Sequence, residues 1–372
     1  MKIICIHQSA ELYGSDRSFL QVVEFLNRND LVEELLVLLP TDGPLVDELI
    51  KRNISFRIEE LFILRKIYLR KMQLWKLFSP LLSLFRRYQI YRSYDVIYCN
   101  TTVIMEYYLV APFLRKKEKI IHVREIPDRI LSRFFTRMIN FGNIRAVFNS
   151  LNTEMGFKDV LQSSVIYNSF EGFGETDSYE NQTSVKENTL NLLVIGRIND
   201  WKGQDLAIDA LAILDSHFDF KLRIVGSPYE GNEWILDSLK QRVKLHNMGD
   251  KVEFIPFTIN PKEHYEWCDV LIVPSKKPEP FGRIAIEAMS IAKPVIAAFH
   301  GGLSEIIKDD QNGFLFIPNS KESLNSCIAK YFGDAGVQLR KEHGRNGKQI
   351  FDSKFSSKIF ESKLSSLFRL DN

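Results

Sequence analysis

Cysteine is scarce and scattered: Cys5, Cys99, Cys268 and Cys327 are the only four in 372 residues, and none stands in a CxxC or CxxH spacing. That pattern argues against a zinc cluster or a disulfide framework and sets the expectation of a reducing compartment. An excess of one charge is also lacking. Forty-nine Lys and Arg nearly cancel 47 Asp and Glu, leaving a net charge of +2, so nucleic acid is not an expected partner of the whole chain. No run approaches the roughly 18 uninterrupted apolar residues of a membrane-spanning helix. The amino-terminal run Lys2 to His7 stops too early for a signal-peptide core and is expected to be a first β-strand. There is no Walker A sequence, no GxGxxG after that strand, no GxSxG and no Cys in a recognisable nucleophile motif. Kinase, dehydrogenase and serine or cysteine nucleophile chemistry thereby lose their usual sequence support. No short repeat period is present, which disfavours solenoids and propellers.

What is there is ordinary globular composition, with 45% hydrophobic and 26% charged residues, at a length suited to two or three domains. Short β-branched and aromatic runs alternate with longer helical patterns, the signature of βαβ units and parallel sheets, so the fold class is α/β. In the first half the expected strands are Lys2 to His7, Glu34 to Leu39, Ile54 to Ile58, Asp95 to Cys99, Lys119 to Val123, Ala146 to Asn149 and Ser164 to Tyr167. The first helix is expected over Ser15 to Asn27, with Ser15 as its cap and Phe19, Leu20, Val22, Val23 and Leu26 as its buried face. The polar, Gly-containing stretch 171–189 reads as a linker. A second alternation follows, and the helix after its fourth strand is expected over Arg283 to Ala292. Domains are therefore placed at 1–170 and 190–352, with a terminal amphipathic helix in 353–372. Ligands of open parallel sheets bind outside the carboxyl ends of the strands, so the loops there should carry the chemistry.

Two such loops stand out. In PEPFGRIAIEAMS, residues 278–290, Gly282 lets a ligand approach the backbone, and free N–H groups at the start of the following helix suit a phosphate. Glu287 lies four residues beyond Arg283, about 6 Å along the axis, roughly the distance from diphosphate to ribose. A carboxylate there can accept from two vicinal hydroxyls, and Glu279, on the loop, from another set. In GRINDWKG, residues 196–203, Gly196 allows a turn while Arg197 and Lys202 place two cations on one loop, suited to a diphosphate leaving group.

These residues resemble the retaining glycosyltransferases of family 4, glycosyl transferases group 1, with the GT-B fold of two Rossmann-like domains facing across a cleft. The likeness rests on GRxxxxKG and Glu-x7-Glu, carried here by Gly196, Arg197, Lys202, Gly203, Glu279 and Glu287. It is extended by LRIVGS (222–227), VEFIPF (252–257), HGGLSEII (300–307) and DDQNGFLF (309–316). The resemblance implies that Arg197 and Lys202 bind the donor's diphosphate, Glu279 the transferred sugar and Glu287 the ribose. Backbone amides around Phe281, Gly282, Ile284 and Ala285 would serve sugar and phosphate. It implies a UDP- or GDP-sugar donor, no metal, and a glycan or lipid-linked acceptor held by the first domain. In that domain Gly14, in HQSAELYGSDRSFL, resembles a glycine loop approached by phosphate, and His122, in IHVREIP, matches a His on the wall of the site. A His at a strand end has a purely structural alternative.

Residues 61–94 hold eight Lys or Arg, no acid, and many Leu, Ile, Phe and Tyr. Such a segment suits an anionic membrane surface or a lipid-diphosphate acceptor. Packing of its apolar face on the sheet is the other reading. Together these features lead to the expectation of a cytoplasmic hexosyltransferase, peripheral on the inner face of a membrane, in bacterial surface polysaccharide synthesis. A GT-B sugar-nucleotide epimerase and a non-catalytic GT-B subunit are the alternatives.

Overall fold

The structure, a computed structural model, describes residues 1–64, 84–174 and 189–371. The chain divides into two compact units: residues 1–168 together with 360–372, and residues 169–359.

The first unit is built on seven parallel strands: β1 (Lys2–His7), β2 (Glu34–Leu39), β3 (Phe56–Ile58), β4 (Val96–Asn100), β5 (Glu118–Val123), β6 (Arg145–Phe148) and β7 (Ser163–Val165). Their order is β3-β2-β1-β4-β5-β6-β7. Strand residues alternate between two buried faces, as a period of two demands when helices cover both sides. Ile3, Cys5, Val37 and Leu39 enter one core, while Ile4, Ile6, Leu36 and Leu38 enter the other. The second core is closed by α3 (Leu84–Arg92), α4 (Met105–Val110) and α5 (Arg129–Phe141), through Tyr91, Tyr107, Tyr108, Phe135 and Ile139. The first is covered by α1 (Gly14–Asn27) and α2 (Pro44–Lys51), and by Phe360, Leu364, Leu367 and Phe368 of the last helix. That helix spans Ser357–Phe368, and these four residues recur at the spacing of one helical face.

Helix α1 buries the face expected of it, but Ser15 does not cap it. Tyr13 is the capping residue, and its N–H donates to Asp16 Oδ2 at 3.1 Å. A side chain three residues into the helix thus does the work assigned to Ser15.

Within 61–94, residues 65–83 and five of the eight cations lie outside the described residues. Of the other three, Arg87 is buried, paired with Glu59 and with Glu106 at 3.2 Å. Tyr91 also donates to Glu106, at 3.1 Å. Burial pushes the Glu106 carboxyl up, and Arg87 opposes it. This cation is part of the fold rather than of a basic outer face. The expected linker falls largely on 175–188, outside the described residues.

The second unit carries six parallel strands: β8 (Thr189–Ile195), β9 (Asp219–Val225), β10 (Val252–Ile255), β11 (Val270–Val273), β12 (Val295–Ala298) and β13 (Gly313–Phe316). Their order is β10-β9-β8-β11-β12-β13. Between and after them run α6 (Gln204–Ala212), α7 (Glu233–Leu245), α8 (Lys262–Trp267), α9 (Arg283–Ser290), α10 (Leu303–Ile306), α11 (Lys321–Ala329) and α12 (Gly333–Lys354). Helix α9 ends two residues earlier than expected, because Ala292 turns to a positive φ of 56°. In each sheet the order runs both ways from one central pair, β1 with β4 and β8 with β11. Those pairs are the topological switch points, where loops diverge and leave room for a ligand.

Candidate functional site

At the switch point of the second sheet, the loop after β8 carries Gly196 to Gly203 and the loop after β11 carries Pro274 to Gly282. The two are stitched by backbone. Lys276 N–H donates to Trp201 O at 2.7 Å, and Gly203, at φ 76°, lies so close that a Cβ there would stand 1.9 Å from Pro274 O. Asn199 Oδ1 shapes the first loop by accepting from the N–H groups of Trp201 (3.1 Å) and Lys202 (2.9 Å). Gln204 Nε2 fixes the carbonyl of Arg197 at 3.1 Å.

Lys202 Nζ then meets Glu279 Oε1 at 2.8 Å, so residues 77 apart in sequence form one ion pair. Ser275 also donates to that carboxylate. Burial pushes the Glu279 carboxyl up, but Lys202, Ser275 and the nearby His300 outweigh it and hold it below the ordinary carboxylate range. A buried, ionised acceptor therefore lies at the base of these loops. Lys202 has three N–H donors, and Glu279 takes one. Arg197 lies with its guanidinium carbon 3.6 Å from the centroid of the Tyr229 ring, on the loop after β9. Stacking of this kind orients a planar cation.

Glu287 sits on α9 behind Gly282, buried, with Oε2 accepting from Tyr265 OH at 2.7 Å and Oε1 from Arg283 Nε at 2.9 Å. Its remaining lone pairs are open to further donors. Gly282 has φ 109°, and a Cβ there would strike Leu303 at 2.5 Å. Phe281 is buried against Phe355, ring centroids 5.8 Å apart, so its side chain belongs to the packing. Ala285 is buried with its N–H donating to Gly282 O at 3.0 Å, and Ile284 is half-buried.

Sequence reasoning missed four supports. Ser275 and Tyr265 each hold one of the two glutamates, and Tyr229 stacks on Arg197. His300 donates from Nε2 to Ser275 O at 2.8 Å, and its Nδ1 is buried without a partner among the described residues. Behind them Gly301 and Gly302 let two backbones touch, because a Cβ on either would lie 2.4 or 2.6 Å from the main chain of Glu279 or Phe281. The signal for all of these was position, since each follows a strand adjoining the switch point or packs on the helix after it.

In the first unit His122 is wholly buried. Its Nδ1 accepts from Tyr98 OH at 2.8 Å and faces Arg124 Nη2 at 3.2 Å. Burial, reinforced by Arg124, pushes its pKa well below the usual imidazole range. His122 lies in the row His7, Asn100, His122 at the carboxyl ends of three adjacent strands, and its Nε2 is buried without a partner among the described residues. Asp16 organises the loop before α1, accepting from His7 Nε2 at 2.8 Å and from Ser9. Gly14 opens that helix without a positive φ, and a Cβ added to it would meet nothing within 4 Å. The fold does not require glycine there, so Gly14→Ala is expected to leave thermal stability unchanged or raise it by up to about 1 kcal/mol. Weaker ligand binding by a variant of undiminished stability would assign the glycine to a ligand, and a fall in stability would assign it to the fold.

All four cysteines are free and buried. Burial pushes the thiols up, Cys327 to about 11 and Cys268 to about 12, so none supplies a thiolate near neutral pH. Among the described residues, no cluster of three His, Cys, Asp or Glu could hold a metal ion, and no helix is long and apolar enough to cross a membrane.

Residues 175–350, which hold the whole constellation from Gly196 to Glu287, match the family model of glycosyl transferases group 1. The match covers just under half of the chain and lies within the second unit. An uncharacterized glycosyltransferase of Methanocaldococcus jannaschii is 35% identical over 165 residues, 44% of this chain and 43% of that protein. A lipopolysaccharide 1,2-N-acetylglucosaminetransferase of Salmonella typhimurium is 29% identical over 208 residues, 52% of each chain. The chain thus spans about half the length of these curated relatives. The crystal structure of Anabaena HepE in complex with UDP and glucose superposes with a TM-score of 0.79 over 99% of both chains at 24% identity. The fold is GT-B, with two Rossmann-like domains, and the residues that match the group 1 model lie in the second of them.

Proposed function

We propose that the protein is a retaining, metal-independent glycosyltransferase of family 4. It moves a hexosyl unit from a UDP- or GDP-sugar to a glycan or lipid-linked acceptor in bacterial surface polysaccharide synthesis. The observation that carries this reading is the Lys202–Glu279 pair at the β8/β11 switch point, with Arg197 of the same loop stacked on Tyr229. In this reading Arg197 and Lys202 stabilise the departing diphosphate, the task a divalent cation performs in other sites. Glu279 accepts from hydroxyls of the transferred sugar, and Glu287, oriented by Tyr265 and Arg283, from the ribose. The proton of the acceptor hydroxyl passes to the leaving diphosphate on the same face, which retains the anomeric configuration. The Salmonella relative's activity and the UDP and glucose held by HepE favour this substrate class. The domain limits proposed are 1–170 for the acceptor domain, 171–189 for the linker, 190–352 for the donor domain and 353–372 for the terminal helix. A cytoplasmic location peripheral to the inner face of a membrane completes the proposal.

Calorimetry with UDP, GDP, ADP and their monophosphates in the presence of EDTA tests it. One diphosphate is expected to bind with a micromolar Kd, and Arg197→Ala to weaken it about tenfold or more, in keeping with loss of a charge-assisted bidentate contact. Absence of binding to every nucleotide would overturn the donor site and favour a non-catalytic subunit. Conversion of the donor sugar without acceptor would instead identify an epimerase.

A further inference from the structure

Helix α5 (Arg129–Phe141) presents an outer face that the fold of the first unit does not use. Its inner face, Ser132, Phe135, Thr136 and Ile139, is buried. On the outside Ile130, Phe134 and Phe141 are 80%, 39% and 73% exposed. At 100° per residue these three fall within about 40° of one another on the helix wheel, and Arg129, Arg133 and Arg137 form a parallel row directly beside them. The apolar row is about 16 Å long at 1.5 Å per residue. Residues 129–153 contain four Arg and no acid. Among the described residues no acidic side chain pairs with Arg129, Arg133 or Arg137, whereas Arg145 meets Glu118 at 3.3 Å. The end of the helix abuts the turn that carries Phe113, 72% exposed, and the exposed Arg115 and Lys116, since a Cβ on Gly142 would lie 3.1 Å from Ala111 Cβ.

Large apolar side chains exposed in a row usually mark an interaction surface. The row beside it is entirely Arg, whose fork suits phosphate oxygens, and the carboxylate adjoining it in sequence, Asp128, is engaged in capping the helix through the N–H groups of Ile130 and Leu131. We propose that this face of α5 docks on an anionic lipid bilayer, with Ile130, Phe134 and Phe141 entering the headgroup boundary and Arg129, Arg133 and Arg137 meeting lipid phosphates. The surface lies outside residues 61–94 and does not depend on the donor site, so its test needs no nucleotide.

The test is co-sedimentation of the full chain with vesicles of phosphatidylcholine alone and of phosphatidylcholine with 30% phosphatidylglycerol, at low and high NaCl. Wild type is expected to bind the anionic vesicles, to release them in high salt and to ignore the neutral ones. The triple variants Ile130→Ser/Phe134→Ser/Phe141→Ser and Arg129→Gln/Arg133→Gln/Arg137→Gln are each expected to bind at least tenfold more weakly. The second alters only exposed charges and serves as the folding-neutral arm; thermal unfolding of both should match wild type. Wild type that fails to bind, or correctly folded variants that bind as wild type does, would overturn the proposal. So would a dimer in sedimentation velocity that the first variant dissociates, because the face would then be covered by a second copy of the chain.

Discussion

Glu279→Gln is expected to lower sugar transfer by at least about a hundredfold, close to 2.7 kcal/mol of barrier, while leaving the fold and nucleotide affinity largely intact. The amide keeps the volume and can still accept from Lys202 and Ser275, so the loops after β8 and β11 stay stitched through Lys276 N–H and Trp201 O. What disappears is the negative charge that Lys202, Ser275 and His300 hold in the ionised form against burial. A neutral acceptor binds the sugar's hydroxyls less strongly as positive charge develops on the ring, whereas Lys202, relieved of its counterion, attracts diphosphate as well or better. Unchanged Kd with lost turnover is therefore the signature, measured by calorimetry and by nucleotide release with acceptor present. Equal turnover would remove Glu279 from the chemistry. The variant should also alter the acid limb of stability. A carboxyl whose folded pKa is depressed adds stability above its unfolded value, and that stability is lost as pH falls through the folded value. Thermal unfolding from pH 7 down to pH 3 should accordingly show wild type losing more than Glu279→Gln below the ordinary carboxylate range.

Much of this site was legible because it is built from strand ends. GRINDWKG and PEPFGRIAIEAMS each follow an apolar run, and the order of a parallel sheet brings the two runs together as β8 and β11. Residue type then named Arg197, Lys202, Glu279 and Glu287. Less legible were partners whose role exists only in three dimensions. Nothing in the chemistry of Tyr265 distinguishes it from the other 12 tyrosines, and only the packing of α8 against the sheet brings it to Glu287. His122 is ambiguous for the reverse reason. A His at the end of a strand is catalytic or structural according to what covers it, and Tyr98, Arg124 and Asn100 cover this one. Ser15 illustrates a local ambiguity: Tyr13, Ser15 and Asp16 lie within four residues, and the carboxylate that also binds buried His7 set the helix start. The basic segment exposed a limit of composition, because Arg87 reads as one more surface cation until Glu59 and Glu106 are found around it.

Gly203→Ala is expected to destabilise the second domain by about 3 kcal/mol or more and to abolish nucleotide binding with it. Two costs combine. Gly203 caps α6 in the left-handed region, φ 76° and ψ 23°, where an L side chain costs roughly 1–2 kcal/mol. Its Cβ would also stand 1.9 Å from the carbonyl oxygen of Pro274. That atom is backbone at the end of β11 and cannot swing aside, so the loop after β8 must lift away. The movement draws Lys202 from Glu279 and breaks the Lys276 to Trp201 bond, dismantling both loops at once. Gly231→Ala separates the two costs, since Gly231 has φ 81° but nothing within 4 Å of an added Cβ. It should lose only the backbone share, about 1 kcal/mol, and retain nucleotide binding. For a domain of this size the difference corresponds to a Tm drop of roughly 6–12 °C for Gly203→Ala against roughly 2–4 °C for Gly231→Ala. Equal Tm values for the two variants would show that the close approach of Gly203 to Pro274 is not what joins the loops, and the geometry of the proposed diphosphate site would need another anchor.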